Sequence, residues 1–194
     1  QAGVTIEKIF ALESYRDQLA AFPQTIWVSE EILLDLADTQ TPQGIVAVIQ
    51  KEEEGLPDFR QGKYLFLEDV QDPGNVGTMI RTADAAGFTG VIVSDKSADI
   101  YSLKTLRSMQ GSHFHLPIYR MPLATFVEEA KRSNLPILAT TLSRDSKDYR
   151  ELSLLENFVL VMGNEGQGIS SVMAESADQL VHIGMKGRAE SLNV

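Results

Sequence analysis

Three short segments of the chain combine glycine with polar or charged residues, and each follows an apolar run. Residues 68–77 read EDVQDPGNVG and lead into a helical pattern that carries Arg81. Residues 163–168 read GNEGQG, and residues 185–194 read MKGRAESLNV. Glycine lets the backbone approach a ligand closely, and the N–H groups at a helix N-terminus attract anions and polar groups. We therefore regard the three segments as candidate binding loops.

Each candidate also has a simpler interpretation. Arg81 can be a surface arginine that pairs with Asp84 or Asp72, and Asn75 can be the N-cap of its helix. Residues 163–168 can form an ordinary turn, since Gly and Asn are common in turns. The glycine spacing does not match the dinucleotide-binding pattern, and taken singly these segments leave the alternatives open.

Several common kinds of active site are not indicated. The chain has no cysteine, and its three histidines, His113, His115 and His182, do not have the spacing of metal ligands. Ser191 would need a histidine base to act as a hydrolytic nucleophile, but no G-x-S-x-G elbow exists. His182 lies in an apolar strand pattern, which favours a core or rim position. The sequence therefore predicts neither a metal site nor a Ser-His-Asp hydrolase.

The charge of the chain is unevenly distributed. Its 194 residues include 27 acidic and 17 basic ones, a net charge of −10, which argues against nucleic-acid binding because phosphates attract Lys and Arg. No acid lies between Asp99 and Glu128, however, and aromatic residues are interleaved there with cations, a mixture that suits phosphates and bases. The cations of this interval are Lys104, Arg107, Arg120 and the histidines His113 and His115. Chance depletion of acids around core aromatics is the alternative.

Short apolar runs alternate with helical patterns from residue 63 onward. The predicted strands cover residues 64–67, 90–93, 136–140, 158–162 and 180–183, and the predicted helices begin near Asn75, Ser102 and Leu123. This alternation predicts an α/β fold with a parallel sheet and crossover helices. Ligand sites of parallel sheets lie at the carboxyl ends of the strands, which is where the candidate loops are.

The chain is predicted to have two parts joined by a linker. Residues 1–50 contain a short helix capped by Ser29 and a strand over Ile45–Ile49, and the charged residues 51–62 predict a linker before a domain over residues 63–194. No apolar run approaches the roughly 20 residues of a membrane span. Without a secretory signal or cysteine, a cytoplasmic location is expected.

Together the three loops resemble the motifs of the SpoU (TrmH-type) RNA 2′-O-ribose methyltransferases, a family of the SPOUT superfamily. The resemblance covers about residues 63–194, and residues 104–117 are similar to the region between the family's motifs. Residues 1–50 resemble the end of the ribosomal L30e-like substrate-binding domain that precedes the catalytic domain in one branch. The residues that carry the resemblance are Asn75-Val76-Gly77 with Arg81-Thr82-Ala83, Gly163-Asn164-Glu165-Gly166 with Gly168, and Glu190-Ser191-Leu192-Asn193-Val194.

The resemblance implies a parallel sheet that ends in a C-terminal trefoil knot, which binds S-adenosylmethionine, and a homodimer with the active site near the subunit interface. The implied reaction is methylation of a ribose 2′-hydroxyl in structured RNA, and the L30e-like part favours 23S ribosomal RNA over transfer RNA. The family's catalytic positions fall on Asn75, Arg81, Glu165, Ser191 and Asn193. Its cofactor-binding positions fall on Thr140, Thr141, Leu142, Gly163, Asn164, Gly168, Ile183, Met185 and Leu192. For RNA binding we expect Arg81, Lys104, Arg107, His113 and Arg120, and we expect no metal.

A guanidinium stays protonated in proteins and is a poor base. Arg81 is therefore expected to hold the target phosphate or to polarise the 2′-oxygen, with Glu165, Ser191 or water as the proton route. The competing hypothesis is an RNA-binding module of the same fold that does not methylate, whereas base methylation is disfavoured by the motif around Asn193.

The sequence departs from the family in two ways. Gly184 stands where family members often have proline in an Ile-Pro-Met motif. The family also continues into a C-terminal helix and has a longer L30e-like domain, so we expect both ends to be trimmed.

Overall fold

The computed structural model describes residues 4–37, 39, 41–51, 55–153 and 155–187. Its contacts divide the chain into two units, Gln1–Glu53 and Glu54–Val194. The assignment of the first unit to an L30e-like domain stays a prediction.

The first unit contains a small three-stranded sheet and one helix. Strand β1 (Ile6–Ala11) lies between β2 (Thr25–Trp27), to which it is parallel, and β3 (Ile45–Ile49), to which it is antiparallel. Helix α1 covers Glu30–Ala37, and a 3-10 turn covers Glu13–Tyr15. The predicted helix after Ser29 and the predicted strand over Ile45–Ile49 are both found. Leu33 is the buried residue of α1.

The second unit is built on a seven-stranded sheet in which all neighbouring strands are parallel. The order is β6-β5-β4-β9-β7-β10-β8, which confirms the predicted parallel α/β sheet. Its five predicted strands are found with ends within one residue, whereas the short strands β6 and β8 were not predicted. The strands are β4 (Lys63–Leu67), β5 (Gly90–Val93), β6 (Ile118–Arg120), β7 (Ile137–Thr140), β8 (Lys147–Asp148), β9 (Phe158–Met162) and β10 (Gln179–His182).

Helices cover the strand connections of this unit. They are α2 (Pro73–Ala85), α3 (Leu103–Met109), α4 (Leu123–Arg132) and α5 (Ser171–Ser176), with 3-10 turns at Ser112–Phe114 and Tyr149–Glu151. Helix α3 begins next to Ser102, where the sequence predicts its start, and the Ser102 Oγ caps it by accepting from the N–H of Thr105.

The predicted N-cap of α2 is wrong. The helix begins at Pro73, and the Asp72 carboxylate accepts the N–H of Asn75 at 3.0 Å. Proline has no N–H to leave unsatisfied in the first turn and its φ suits a helix, so the helix starts three residues earlier than the Asn75 cap predicts. The side chain of Asn75 therefore does not cap α2.

Two apolar clusters sandwich the sheet. Tyr64 and Phe66 of β4 belong to one cluster, whereas Leu65 and Leu67 belong to the other, as expected for a central strand covered on both faces. Phe66 stacks on Phe126 of α4 with ring centroids 4.0 Å apart. The first cluster also includes residue 59, a buried phenylalanine, so the segment predicted as a linker contributes to the core of the second unit. The packed core fixes the strand ends from which the loops emerge.

Candidate active site

Four neighbouring strands bring the candidate loops to one edge of the sheet. Strands β4, β9, β7 and β10 are adjacent and parallel, so the segments that follow residues 67, 162, 140 and 182 share their carboxyl edge. The third candidate loop is described only as far as residue 187. The predicted site residues Ser191, Leu192 and Asn193 therefore lie outside the described residues.

The loops after β4 and β9 are joined by hydrogen bonds. The Glu165 carboxylate accepts from the N–H groups of Asp72 at 3.0 Å and Gln71 at 3.1 Å, and from the Asn75 side-chain amide at 3.1 Å. In return, the Asn164 side chain donates to the carbonyl of Asp69 at 2.8 Å. We call these two connected segments, residues 68–75 and 163–170, the interlocked loops.

These contacts determine the charge of Glu165. Partial burial by itself would raise its pKa, but hydrogen bonds from the Asp72 N–H, the Asn75 side chain and the Gln71 N–H outweigh burial and lower the pKa from its ordinary value of 4.5. The carboxylate is therefore ionised at neutral pH and is a weak base. The N–H groups of Gln71 and Asp72 ahead of α2 are thus occupied by Glu165, and the Asn75 N–H in the first turn is occupied by the Asp72 carboxylate.

The glycines of residues 163–168 let the loop close on itself. A Cβ at Gly163 would lie 2.3 Å from the carbonyl carbon of Gly168, so only glycine fits there. Asn164 and Gly168 exchange backbone hydrogen bonds at 3.0 and 2.9 Å, and Gly168 has a φ of +69°. The Asn164 Oδ1 accepts from the N–H groups of Gly166 and Gln167 at 2.9 and 3.0 Å. The loop is thus a tight turn, as the simpler interpretation has it, but one tied into the neighbouring loop.

The segments after β7 and β10 add apolar surface to the same edge. The Thr140 hydroxyl donates to the Val161 carbonyl at 2.9 Å and so ties β7 to β9, and the Thr141 N–H donates to β10. Leu142 and Ile183 are 68% and 54% exposed. Exposed apolar side chains beside backbone polar groups are the usual lining of small-molecule sites.

Arg81 lies on the exposed side of α2. Within the described ranges its guanidinium has no hydrogen bond or ion pair. The two acids considered as partners are engaged elsewhere, because Asp72 binds Lys104 at 2.7 Å and Asp84 lies 3.4 Å from His115. Arg81 is thus the cation of this helix that can meet a ligand.

The acid-free interval is less positive in three dimensions than in sequence. Helix α2 packs against α3 and supplies the carboxylates of Asp72 and Asp84 to Lys104 and His115. Close packing of the two helices depends on Gly77, where a Cβ would lie 2.6 Å from the Thr105 carbonyl oxygen. The second glycine of the first motif therefore serves helix packing.

Arg120 and His113, two other predicted RNA contacts, are engaged in or buried by the fold. Arg120 donates to the backbone carbonyls of Ser94 at 2.8 Å and Ala98 at 3.2 Å, so it holds the loop after β5. His113 is half-buried; burial and then neighbouring His115 lower its pKa, and its buried Nδ1 has no hydrogen-bond partner in the part of the chain that the structure describes. Arg107 is exposed. We keep Arg81, Lys104 and Arg107 in the RNA surface proposed below and leave out Arg120 and neutral His113.

Glu68 is a site residue that the sequence reasoning missed. Its side chain is 3% exposed, and its carboxylate accepts the Ser170 N–H at 3.1 Å, a further link between the interlocked loops. An acid directly after the apolar strand β4 was the available signal, because a buried carboxylate at a strand end needs partners from a neighbouring loop.

Neither a metal centre nor a membrane span is found in the part of the chain that the structure describes. No group of three or more potential metal-ligating residues (His, Cys, Asp or Glu) comes together within these residues. The helices among them are too short or too polar to cross a bilayer.

Comparison with known proteins gives consistent matches over most of the chain. A family model described as the SpoU rRNA Methylase family matches residues 62–194. The chain is 44% identical over 171 residues to the 23S rRNA (guanosine(2553)-2′-O)-methyltransferase RlmP of Bacillus subtilis, and 32% identical over 179 residues to a 23S rRNA (uridine(2479)-2′-O)-methyltransferase of Streptomyces viridochromogenes. These alignments cover 88% of this chain and 68% and 62% of the two relatives, so the chain spans about two thirds of their length.

A solved structure resembles the whole chain. The AdoMet-bound rRNA methyltransferase of Sinorhizobium meliloti aligns over 99% of this chain and 76% of its own length. The TM-score is 0.87 and the sequence identity is 33%.

Proposed function

The chain belongs to the SpoU rRNA methylase family, and from this premise we propose that it transfers a methyl group from S-adenosylmethionine to a ribose 2′-hydroxyl of 23S ribosomal RNA. The RlmP relative at 44% identity supports both the reaction and the class of RNA. The observation that carries the proposal is the hydrogen bond between Asn75 and Glu165. It joins two motifs that are 90 residues apart, with exposed Arg81 on the same helix as Asn75.

The carboxyl edge of the sheet fits S-adenosylmethionine. Leu142 and Ile183 offer apolar contact to the adenine ring, and the Gly163 turn follows β9, the neighbour of β7. When bound, the cofactor supplies an electrophilic methyl group on a positively charged sulfur. The residues proposed to hold it are Thr140, Thr141, Leu142, Gly163, Asn164, Gly168, Ile183 and Met185, together with Leu192 outside the described residues.

Arg81 is proposed to hold the RNA at the target ribose. Its exposed guanidinium can donate several hydrogen bonds to a phosphate or to the 2′-oxygen. Fixing the 2′-oxygen in line with the methyl group lowers the barrier chiefly by orientation. Lys104 and Arg107 extend this contact along α3, and exposed Tyr101 and Phe114 offer stacking faces to bases.

The lowered pKa of Glu165 argues against this carboxylate as the acceptor of the 2′-hydroxyl proton. Both carboxylate oxygens already accept N–H hydrogen bonds, and the group is a weak base. We therefore propose that the 2′-hydroxyl proton leaves to water, either directly or through the Ser191 hydroxyl, which takes it up and passes its own proton to water. Asn193 is proposed to orient the ribose, and both residues lie outside the described ranges. Glu165 instead fixes the position of Asn75 at the start of α2.

The finer features implied by the family complete the proposal. They are a C-terminal trefoil knot, a homodimer with the active site near the subunit interface, an L30e-like first unit that binds the RNA substrate, and a cytoplasmic location. The seven-stranded parallel sheet and the likeness to the Sinorhizobium meliloti enzyme support this architecture.

Substitution of Arg81 tests the function. Binding of S-adenosylmethionine is measured by calorimetry, and single-turnover methylation is measured on 23S rRNA fragments. Arg81→Ala should keep cofactor affinity and lose at least about 100-fold in methylation, because an orienting contact to the reacting oxygen is removed. Arg132→Ala, on α4 at the other face of the sheet, is the matched control and should methylate normally.

Two outcomes would contradict the proposal. A chain that does not bind S-adenosylmethionine is not a methyltransferase and would instead be an RNA-binding module. Full methylation by Arg81→Ala and Arg81→Lys, with unchanged pH dependence, would remove Arg81 from the mechanism. Mapping 2′-O-methyl groups in RNA from cells with and without the protein identifies the target nucleotide.

A further inference from the structure

The loop after β10, residues 183–187, lies directly against an ion pair. A Cβ at Gly184 would lie 2.4 Å from Oδ2 of Asp148 and 3.1 Å from Nη2 of Arg150. At 2.4 Å two heavy atoms overlap, so a side chain at residue 184 would displace the carboxylate. Glycine at this position is therefore matched to the presence of Asp148.

The Asp148 carboxylate is held firmly in this place. Arg150 donates to Oδ1 from its backbone N–H at 3.0 Å and from Nε at 2.8 Å, and to Oδ2 from Nη2 at 2.6 Å. The Asp148 side chain is 13% exposed, and hydrogen bonds from the Arg150 side chain hold its pKa well below the usual range. The ionised Asp148 carboxylate therefore has a fixed position against Gly184.

The strand that leads into the loop is fixed by the same element. Asp148 pairs with His182 in the parallel register of β8 and β10, and the Ser146 hydroxyl lies 2.9 Å from Nδ1 of His182. The loop therefore leaves a strand end that β8 supports on one side, and its second residue contacts the Asp148 carboxylate.

A second ion pair of the same unit shows which feature is particular to Asp148. Asp58 and Arg60 make the same three hydrogen bonds two residues apart, at 3.2, 2.8 and 2.7 Å. The Asp58 side chain is 51% exposed, whereas that of Asp148 is largely covered. The two pairs have the same chemistry but differ in burial, and only Asp148 is in contact with a loop that carries proposed cofactor-binding residues.

We propose that Asp148 is a positioning residue for S-adenosylmethionine: its carboxylate, held by Arg150 and packed on Gly184, sets the conformation of residues 183–187 and thus the place of Ile183 and Met185. The inference rests on the proposed cofactor site. A loop held in its binding conformation before the ligand arrives loses less conformational entropy on binding. Asp148 therefore increases cofactor affinity without touching the cofactor.

The first test compares two glycines of one loop. Among the described residues, a Cβ at Gly187 would meet nothing within 4 Å, so Gly187→Ala is the matched control for Gly184→Ala. Calorimetry with S-adenosylmethionine and with S-adenosylhomocysteine should show affinity reduced about tenfold in Gly184→Ala, the size of effect expected for a lost loop contact. Gly187→Ala should bind like the wild type.

The second test removes the carboxylate. Asp148→Ala should raise KM for S-adenosylmethionine about tenfold while kcat at saturating cofactor stays within about twofold, because the reacting groups are untouched. Asp58→Ala, which breaks the equivalent exposed pair, should leave both parameters unchanged. In the double variant Gly184→Ala with Asp148→Ala, the fold-loss of affinity for S-adenosylmethionine should be smaller than the product of the two single fold-losses, since both changes break the same contact.

The outcomes separate this inference from the proposed function. Unchanged affinity in both Gly184→Ala and Asp148→Ala, or fully multiplicative losses in the double variant, overturns it while the function stands. Failure of the wild type to bind the cofactor overturns both. Thermal unfolding of each variant without ligand checks the fold. If a variant does not fold, Asp148→Asn replaces it, because the asparagine keeps the volume against Gly184 and loses the charge. Asp148→Asn should still weaken cofactor binding.

Discussion

The interlocked loops and the acid-free interval around α3 differ in where their hydrogen-bond and ion-pair partners come from in the sequence. In the interlocked loops, the glycine turn and Glu165 belong to one motif and Asn75 to another, so the residues that suggested a site also make its contacts. Around α3, the partners come from elsewhere, since α2 supplies Asp72 to Lys104 and the loop after β5 supplies carbonyls to Arg120. Both partners of the contact between Asn75 and Glu165 are motif residues, whereas charge counted along the chain omits the acids that packed neighbours supply.

The largest effect is expected from breaking the turn of the interlocked loops. In Gly163→Ala the new Cβ would overlap the backbone of Gly168, which cannot move away as a side chain can. We expect a loss of at least about 2 kcal/mol in the free energy of unfolding and no measurable binding of S-adenosylmethionine. Urea unfolding and calorimetry measure the two effects.

The control for that change lies three residues further on. A Cβ at Gly166 has its nearest neighbour at 3.7 Å, an ordinary contact with Asn164. Gly166→Ala should therefore fold and bind normally. Equal losses in both variants would show that the loop tolerates no side chain at all and would contradict the close-approach explanation.

Removing the charge of Glu165 should have the next largest effect. In Glu165→Gln an amide replaces one acceptor oxygen by a donor that faces the N–H group of either Gln71 or Asp72. Methylation should fall about tenfold or more. If Glu165 were instead the proton acceptor, the variant's activity would lose its pH dependence, which a rate profile would detect.

The same variant tests the pH dependence of stability. The folded pKa of Glu165 is lowered from 4.5, so its stabilising contribution is present above pH 4.5 and is lost as the pH falls through the lowered pKa. The wild type should be more stable than Glu165→Gln at pH 7, and the difference should shrink at acidic pH. Urea unfolding of both proteins at several pH values measures this difference in the free energy of unfolding. A difference that grows on acidification would contradict a lowered pKa of Glu165.

Arg120→Ala should affect stability and leave RNA binding intact. The change removes donors from the carbonyls of Ser94 and Ala98 and should cost about 1–3 kcal/mol of unfolding free energy. The salt dependence of RNA affinity should stay the same, whereas Arg81→Ala should reduce its slope by about one and keep stability. A reduced slope in Arg120→Ala would return this arginine to the RNA surface.

The smallest effect is expected from Lys104→Ala. Asp72 pairs with this ammonium group, and Lys104 is the first cause of the lowered pKa of Asp72. Because the pair is nearly neutral, its removal should change the salt slope of RNA binding by less than one. A full unit of change, measured by titration at several salt concentrations, would mean that RNA displaces Asp72.

The sequence predicts the strands of the large sheet well and its connections less well. Strands such as Phe158–Met162 are continuous apolar runs, so composition identifies them. The two-residue strand Lys147–Asp148 is polar and exists only because β10 lies beside it. The prediction of Asn75 as the cap is wrong because the helix begins at Pro73 and Asp72 caps it.

The site residues follow the same division. Residue types and their order indicated Asn75, Arg81 and Glu165, but no local pattern shows that Glu165 reaches across 90 residues to Asn75. Glu68 and Asp148 were missed because their partners, Ser170 and Gly184, become neighbours only through the strand order. The roles of Ser191, Leu192 and Asn193 stay predictions.

The position of β9 has a consequence for synthesis of the protein on the ribosome. Strand β9 lies between β4 and β7, although it follows both in the chain. Until residues 158–162 leave the ribosome, β4 and β7 remain open edges, and α2 lacks the Glu165 that binds its first turn. Pairings between strands distant in sequence form slowly, so we expect the centre of the sheet and the contacts of Glu165 to form late in synthesis.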